Sequence, residues 1–332
     1  MTKPIPCVLA LALLLQGCGS ASSRAVASEA PAPAAERLLL VRDGDLYTIA
    51  PDGTGLARLT DTPEPESDPV FSPDGRMVAF VRAGDVFVID ADGGGEVNLS
   101  RHAADDRDPV FGPDGLTVAF VSDRDGNEEV YLVGVDGSGL RNLTNHPDAD
   151  TDPAFSPDGR LVAFASARDG QVHLVPTTGG ESRPLTGCGA CTDPVFGPRG
   201  DRVAVSHLGE EGVWLFDLEG QLVGTSVPFG GDQSAGAKTF TPDGAVVVYA
   251  ARDYDDEPPN GNLYRMDADA ASLEPLTREA TWEFGPVVSP DGRRVAFTRA
   301  ATESGADPEV VVIDLDGSNP VVLGPGAVAD WR

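Results

Sequence analysis

Residues 68–81 read Asp-Pro-Val-Phe-Ser-Pro-Asp-Gly-Arg-Met-Val-Ala-Phe-Val, and this stretch returns along most of the chain. Its centre combines a proline with a preset φ, an aspartate that can bond its own backbone, and a glycine that tolerates positive φ. Apolar residues flank that centre on both sides. The pattern predicts two short strands joined by a tight turn.

The turn has five further copies in the chain. They are Gly112-Pro113-Asp114-Gly115, Ser156-Pro157-Asp158-Gly159, Gly197-Pro198-Arg199-Gly200, Thr241-Pro242-Asp243-Gly244 and Ser289-Pro290-Asp291-Gly292. The third residues of the six turns are 74, 114, 158, 199, 243 and 291, so successive turns lie 40 to 48 residues apart. A period in the forties with four strands in each unit is typical of a β-propeller blade.

Six units are complete, and the two chain ends supply the parts of another. The complete units span residues 68–100, 108–144, 152–186, 193–227, 237–277 and 285–323. Residues 37–60 contain three strand patterns, and residues 328–331 contain the first strand that those three lack. Joining the ends would leave no open sheet edge. We therefore predict an all-β fold over residues 37–332, a single seven-bladed propeller of four-stranded blades, with six blades as the alternative.

The charge balance excludes some partners. Asp and Glu number 53 against 24 Lys and Arg, a net charge of −29. Such a chain repels nucleic acid and anionic lipid. A basic partner or a cation is compatible with this charge, and so is an acidic surface that only keeps the protein soluble.

The N-terminus has the pattern of an export signal. Residues 1–17 contain Lys3 and then an apolar run at residues 8–15 that is too short to span a membrane. Leu15-Gln16-Gly17-Cys18 resembles the lipobox of bacterial lipoproteins, which implies cleavage before Cys18 and lipid on its sulfur. An ordinary secretory signal is the alternative. Gly19 is not the aspartate of an inner-membrane retention signal, which favours the periplasmic side of the outer membrane.

Two short features follow the signal. Residues 18–36 are rich in Ser, Ala and Pro, which predicts a disordered tether. Cys188 and Cys191 form a Cys-Gly-Ala-Cys motif in the folded part of the chain. A single cysteine pair in an exported protein predicts one structural disulfide, because no βαβ unit accompanies the motif as a redox site would require.

The repeat resembles a known family. The hairpin, with phrases such as residues 122–132 and 141–144, resembles the PD40, or WD40-like, repeats of the TolB family over roughly residues 37–332. The resemblance implies a β-propeller fold. TolB itself resembles a six-bladed propeller behind an α/β domain that engages the Tol and Pal system. The space before residue 37 is too short for that domain, so we do not expect a Tol-Pal role.

Strand alternation separates two faces of the predicted propeller. The turns between the first and second strands, and between the third and fourth, lie on one face, which we name the turn face. The remaining loops form the loop face, where binding residues usually lie. The loop face is acidic, and four aspartates begin innermost strands: Asp68, Asp108, Asp152 and Asp193.

We expect these four aspartates to surround the channel mouth. Converging carboxylates there could hold Ca²⁺ or another hard cation, or receive a Lys or Arg of a partner. The alternative is structural, with each aspartate accepting backbone N–H bonds where its strand begins. The corresponding residues elsewhere, Ala237, Gly285 and Val328, carry no carboxylate.

Three functions remain open from the sequence. No nucleophile elbow or phosphate loop is present in it. We therefore favour a monomeric, non-catalytic, lipid-anchored envelope protein that binds a protein or peptide partner, requires no cofactor and touches the membrane only through its lipid. One alternative is a saccharide lyase or hydrolase that uses the channel-mouth carboxylates and a metal. The other is a scaffold stabilised by Ca²⁺.

Overall fold

The structure is a computed structural model that describes residues 36–208, 212–226, 235–253, 260–269 and 272–332. The signal at residues 1–17, the lipidation residue Cys18 and the tether up to residue 35 lie outside the described residues. Within the described ranges every helix or strand element is a strand. No helix there is long and apolar enough to cross a membrane.

The described strands are numbered in chain order. They are β1 Leu38–Arg42, β2 Asp45–Ile49, β3 Ala57–Arg58, β4 Glu66–Phe71, β5 Met77–Arg82, β6 Asp85–Asp90, β7 Val97–Asn98, β8 Asp106–Phe111, β9 Thr117–Ser122, β10 Glu129–Gly134, β11 Arg141–Asn142, β12 Asp150–Phe155, β13 Leu161–Ser166, β14 Gln171–Pro176, β15 Arg183–Pro184, β16 Cys191–Phe196, β17 Arg202–His207, β18 Gly212–Asp217, β19 Leu222–Ser226, β20 Ala235–Phe240, β21 Val246–Asp253, β22 Asn260–Asp267, β23 Leu273–Pro275, β24 Trp282–Val288, β25 Arg294–Ala300, β26 Glu309–Asp314, β27 Val321–Pro325 and β28 Ala327–Trp331.

These strands form antiparallel sets of four. Blades 1 to 4 are β4–β7, β8–β11, β12–β15 and β16–β19, each paired in sequence order. Blade 5 is β20–β23 and blade 6 is β24–β27, and one parallel bridge between Gly261 and Trp282 joins them into a single sheet. Blade 7 has the order β28-β1-β2-β3, so the last strand pairs with the first.

The first strand of each blade lies innermost. Strand β4 contacts β8, β8 contacts β12, and the contacts continue through β16, β20, β24 and β28 back to β4. Such a closed cycle puts these strands around a common axis, as a propeller requires. The all-β propeller prediction is confirmed, and the contacts are those that the seven-bladed arrangement needs.

The core lies between neighbouring blades. One buried cluster joins Ala79 and Val88 of blade 1 to Phe111, Phe120 and Val133 of blade 2. The second strands of blades 1, 2, 3 and 6 each supply a phenylalanine to these layers, and Phe80, Phe120, Phe164 and Phe297 are 0% exposed. Truncating such a side chain to alanine costs about 3–5 kcal/mol. Burial between sheets explains why the repeat preserves its Val-Ala-Phe pattern.

The repeated turns pack against one another around the axis. Gly159 has φ +69°, and a Cβ placed on it would lie 3.1 Å from the ring of Pro113 in the preceding turn. Gly75 stands at the closure, where its virtual Cβ would lie 3.4 Å from the Cβ of the C-terminal Arg332. Glycine is therefore required here both for positive φ and for close packing.

Backbone bonds fix the closure at the chain ends. The N–H of Arg332 donates to the carbonyl of Arg37 at 2.9 Å, and that of Arg37 donates to Arg332 at 2.5 Å. The backbone N–H of Phe71 donates to Asp330 Oδ2 at 3.0 Å, which links blade 1 to blade 7. The chain therefore enters the propeller beside the turn face.

Candidate functional site at the channel mouth

A bulge near the start of the innermost strand presents each predicted aspartate. The φ angles of Asp68, Asp108, Asp152 and Asp193 are 50°, 53°, 54° and 51°. Each aspartate precedes a proline, and the strand register shifts at this point. Aspartate tolerates this left-handed conformation better than most residues. Gly285 adopts it at 55° without any carboxylate, so the bulge alone does not demand one.

The aspartates have different hydrogen-bond partners. Asp152 Oδ2 accepts the backbone N–H of Asp193 at 3.2 Å. Asp68 Oδ2 accepts the Ser67 hydroxyl at 3.1 Å. Asp108 Oδ2 accepts a guanidinium N–H of Arg107. Among these four residues, the described contacts match the backbone-capping interpretation only at Asp152.

The four carboxylates share one electrostatic field. Burial raises the pKa of Asp108, the charges of Asp68 and Asp152 raise it further, and Arg107 opposes the change. Burial also raises the pKa of Asp152, repulsion from Asp193 adds to the effect, and Arg107 and Lys238 oppose it. The structure therefore brings all four predicted residues into a single site, which we name the channel mouth.

Lys238 is a member of this site that the sequence reasoning missed. It occupies the strand position held by Pro69, Pro109, Pro153, Pro194 and Pro286 in other blades. Its side chain is 0% exposed, and its ammonium donates to Asp193 Oδ2 at 2.7 Å and to Ser206 Oγ at 2.8 Å. Burial lowers the pKa of Lys238, although Asp193 and Asp152 oppose the shift.

Arg107 is the second cation of the site. Its guanidinium donates to Asp108 and, at 2.5 Å, to Glu128 Oε1 of a loop-face hairpin. Its side chain is 36% exposed, so solvent reaches it. With Glu128 included, the channel mouth has more carboxylates than cations, and its members are Asp68, Asp108, Glu128, Asp152, Asp193, Arg107 and Lys238.

Four other acidic residues of the loop face are structural. Each lies at the start of an innermost strand, is nearly fully buried and pairs with an arginine that lies over an aromatic ring. The pairs are Glu66 with Arg82 at 3.7 Å, Asp106 with Arg124 at 3.0 Å, Asp150 with Arg168 at 2.7 Å, and Glu283 with Arg299 at 3.0 Å. These carboxylates have internal cations, so they are not available to a partner.

In blade 4 a cysteine replaces the acid of this pair. Cys191 stands at the start of β16, where Glu66 stands in β4. The structure has a disulfide between Cys188 and Cys191, and both residues are buried. The backbone N–H of Cys191 donates to Gly170 of blade 3 at 2.9 Å. A covalent bond therefore anchors the chain two residues before Asp193.

Metal binding at the channel mouth depends on how its oxygen donors are arranged. Within the described ranges, no group of three or more His, Cys, Asp or Glu residues is arranged to hold a metal ion. Ca²⁺ takes six to eight oxygen ligands, and at this mouth Arg107 and Lys238 already bond to the carboxylates of Asp108 and Asp193. Residues 254–259, between the second and third strands of blade 5, lie outside the described residues.

A match to a protein-family model agrees with the observed propeller fold. Residues 107–257 match the family model described as TolB beta propeller domain. This match extends from blade 2 into blade 5 and confirms the predicted resemblance to TolB-type repeats.

Solved structures of several proteins share the fold. TolB from Acinetobacter baumannii is 19% identical, with a TM-score of 0.57 over 90% of this chain and 67% of that one. Oligogalacturonate lyase from Vibrio parahaemolyticus is 17% identical, with a TM-score of 0.69 over 84% of this chain and 86% of that one. An oligogalacturonate lyase in complex with manganese is 16% identical, with a TM-score of 0.64 over 87% and 85%. At these identities the likeness concerns the fold alone.

Proposed function

We propose that this protein is a lipid-anchored, non-catalytic β-propeller of the bacterial cell envelope that binds a protein or peptide partner through a basic side chain received at the channel mouth. The observation that carries the proposal is the excess of carboxylates over cations at that site. Mutual repulsion contributes to the raised pKa of Asp108 and Asp152. A cation from outside would relieve that repulsion.

Asp68 and Asp108 are the best-placed recipients of the basic group. Asp68 is exposed, and no ion pair to it occurs among the described residues. Asp108 has a side chain that is 36% exposed and shares Arg107 with Glu128. An incoming Lys or Arg between Asp68 and Asp108 would therefore meet carboxylate charge that the protein itself leaves only partly neutralised.

The position of residue 36 supports the orientation that this function needs. Arg37 bonds to Arg332 beside the turn of blade 1, so the chain reaches the propeller on the turn face. The 19 residues from Cys18 to Glu36 can span at most about 60 Å when fully extended. A lipid at Cys18 would therefore be tethered to the propeller on its turn face, and anionic lipid would repel the acidic loop face.

Binding of defined basic peptides tests the proposal. The mature lipidated protein in detergent is screened against a displayed library of random peptides at low and at moderate salt. We expect selection of Lys- or Arg-containing peptides and loss of their binding in the D68N/D108N variant. The control is D201N, which removes a single negative charge on the turn face, half the charge change of the double variant. Selection without basic residues, or equal loss in D201N, would contradict the proposal.

An enzyme is the second candidate, because Asp152 and Lys238 have pKa values shifted in opposite senses within one site. Such pairs serve as acids and bases in enzymes. Because oligogalacturonate lyase shares this fold, saccharides are the first substrates to test. The acidic mouth would repel a polyanionic sugar, so neutral glycans are the substrates to test. Turnover that D108N or D152N abolishes in a folded protein would favour this candidate over the binding module.

The Ca²⁺-stabilised scaffold is separated from both by a thermal-shift measurement. A ligand that binds only the folded state raises the melting temperature by mass action. The donor geometry of the described residues predicts no rise in millimolar Ca²⁺. A clear rise in the wild-type protein would favour the scaffold.

A further inference from the structure

Lys238 occupies a position of the repeat at which no other blade has a lysine. It and Lys3 are the lysines of the sequence, and Lys3 lies in the predicted signal. At the equivalent position five other blades have proline, which fixes φ within the strand. Replacing this proline by lysine places a charge in the interior, and a buried charge requires a compensating interaction.

The compensation comes from the neighbouring blade. The ammonium of Lys238, in β20 of blade 5, donates to Asp193 Oδ2 at 2.7 Å and to Ser206 Oγ at 2.8 Å, both in blade 4. The side chain of Lys238 is 0% exposed, whereas that of Asp193 is 50% exposed. The lysine therefore approaches the carboxylate from the protein side and cannot be displaced by a solute without disrupting the blade boundary.

Asp152 is coupled to the same cation. Its carboxylate accepts the Asp193 N–H at 3.2 Å, and the Lys238 charge favours its ionised form. Lys238 thus serves two adjacent carboxylates. Arg107 differs, because it is 36% exposed and bonds to Asp108 and Glu128 at the outer side of the mouth.

We propose that Lys238 is a built-in counter-ion that closes the Asp152–Asp193 half of the channel mouth to external cations and leaves the Asp68–Asp108 half to receive the basic group of a partner. Lys238 acts here as a specificity-determining residue of the site. The part that concerns the partner rests on the proposed function. The part that concerns Lys238 and external cations does not.

Replacement of the counter-ion gives a gain of binding that can be measured. K238Q removes the charge and keeps a polar side chain that is one atom shorter. Asp152 and Asp193 then lack the Lys238 cation, and a metal ion can take its place. We expect Ca²⁺ or Mn²⁺ alone to raise the melting temperature of K238Q but not of wild type. Calorimetric affinity should increase at least about tenfold, which corresponds to about 1.4 kcal/mol.

The control separates charge from packing. The double variant K238Q/D193N removes both partners of the pair, so it should fold and show no gain of cation binding. If K238Q is unstable, its folding in the presence of Ca²⁺ and not of NaCl at equal ionic strength is the expected result. Equal cation affinity in wild type and K238Q, or a K238Q that neither gains binding nor is rescued by Ca²⁺, would overturn the proposal.

These outcomes are independent of partner binding. Basic peptides that fail to bind wild type, together with a cation gain in K238Q, would refute the proposed function and support the counter-ion. If basic peptides bind wild type but K238Q binds cations no better than wild type, the proposed function is supported and the counter-ion proposal is refuted.

Discussion

The ammonium of Lys238 lies 2.7 Å from Oδ2 of Asp193, across the boundary between blades 5 and 4. A fully buried ammonium loses its hydration, so it is tolerated only where a carboxylate and further acceptors replace the water. Asp193 and Ser206 supply those acceptors. The pair therefore joins two neighbouring blades and also sets the charge of the channel mouth.

The pH dependence of the free energy of unfolding should reveal that Lys238 is buried. The folded-state pKa is lowered from the ordinary 10.5, so the unfolded chain binds more protons just below that pH. The contribution of Lys238 to folding is therefore least favourable at neutral pH and improves as pH rises through the folded pKa toward 10.5. Urea unfolding of wild type and K238Q/D193N from pH 7 to 10 should show wild type gaining relative to the variant. A constant difference would contradict a buried ammonium.

Asp152 should have the opposite pH dependence. Burial raises its folded pKa above the ordinary 3.8, so ionisation at higher pH costs stability. D152N keeps an acceptor oxygen for the Asp193 N–H and suits the left-handed backbone. We expect the variant to match wild type near pH 3 and to melt higher at pH 7. A lower melting temperature at pH 7 would favour the structural interpretation of the aspartates.

The ring of turns makes a prediction about glycine. Gly159 and Gly139 have φ of +69° and +70°, but only the virtual Cβ of Gly159 meets a neighbour, Pro113 at 3.1 Å. G139A should cost about 1–2 kcal/mol, the usual strain of a left-handed alanine. G159A should cost more, because the proline ring must also move. Chemical denaturation of both variants checks this, and equal costs would mean that the turns do not pack against each other.

The disulfide should stabilise one loop and not the whole propeller. Its closed loop is short, so the chain-entropy estimate for the Cys188–Cys191 bond is about 2 kcal/mol. In C188S/C191S we expect faster amide exchange near residues 187–193 and unchanged exchange in blades 1 and 6. Weakened protection throughout the chain would show that the bond carries more of the fold than its position implies.

The sequence predicted the features that repeat. The spacing of the turns, the complementary ends and the alignment of Asp68, Asp108, Asp152 and Asp193 follow from comparing the chain with itself. These features depend on residues close in sequence or at equivalent positions of each unit, which a single sequence displays. The propeller class and the family resemblance are confirmed.

The features that the sequence did not reveal are tertiary contacts between side chains that are distant in the sequence. Lys238 and Asp193 are 45 residues apart, and no local pattern marks them as partners. The buried pairs of Glu66 with Arg82 and of Asp106 with Arg124 were equally hidden, because a carboxylate in a loop looks solvent-exposed until its arginine is located. One signal was available: Lys238 is a lysine at a proline position in a chain with almost no lysine.

The most direct test of the account is the affinity of the lipidated protein for a selected Lys-containing peptide, measured at low and moderate salt in wild type, D68N/D108N and D201N. Each lost charge contact of a partly exposed pair is worth about 0.2–1 kcal/mol, so two should weaken binding by a few-fold to about 30-fold. We predict that loss in D68N/D108N, a smaller salt dependence in the same variant and no change in D201N. Unchanged affinity in D68N/D108N, or the same loss in D201N, would contradict a cation-receiving channel mouth.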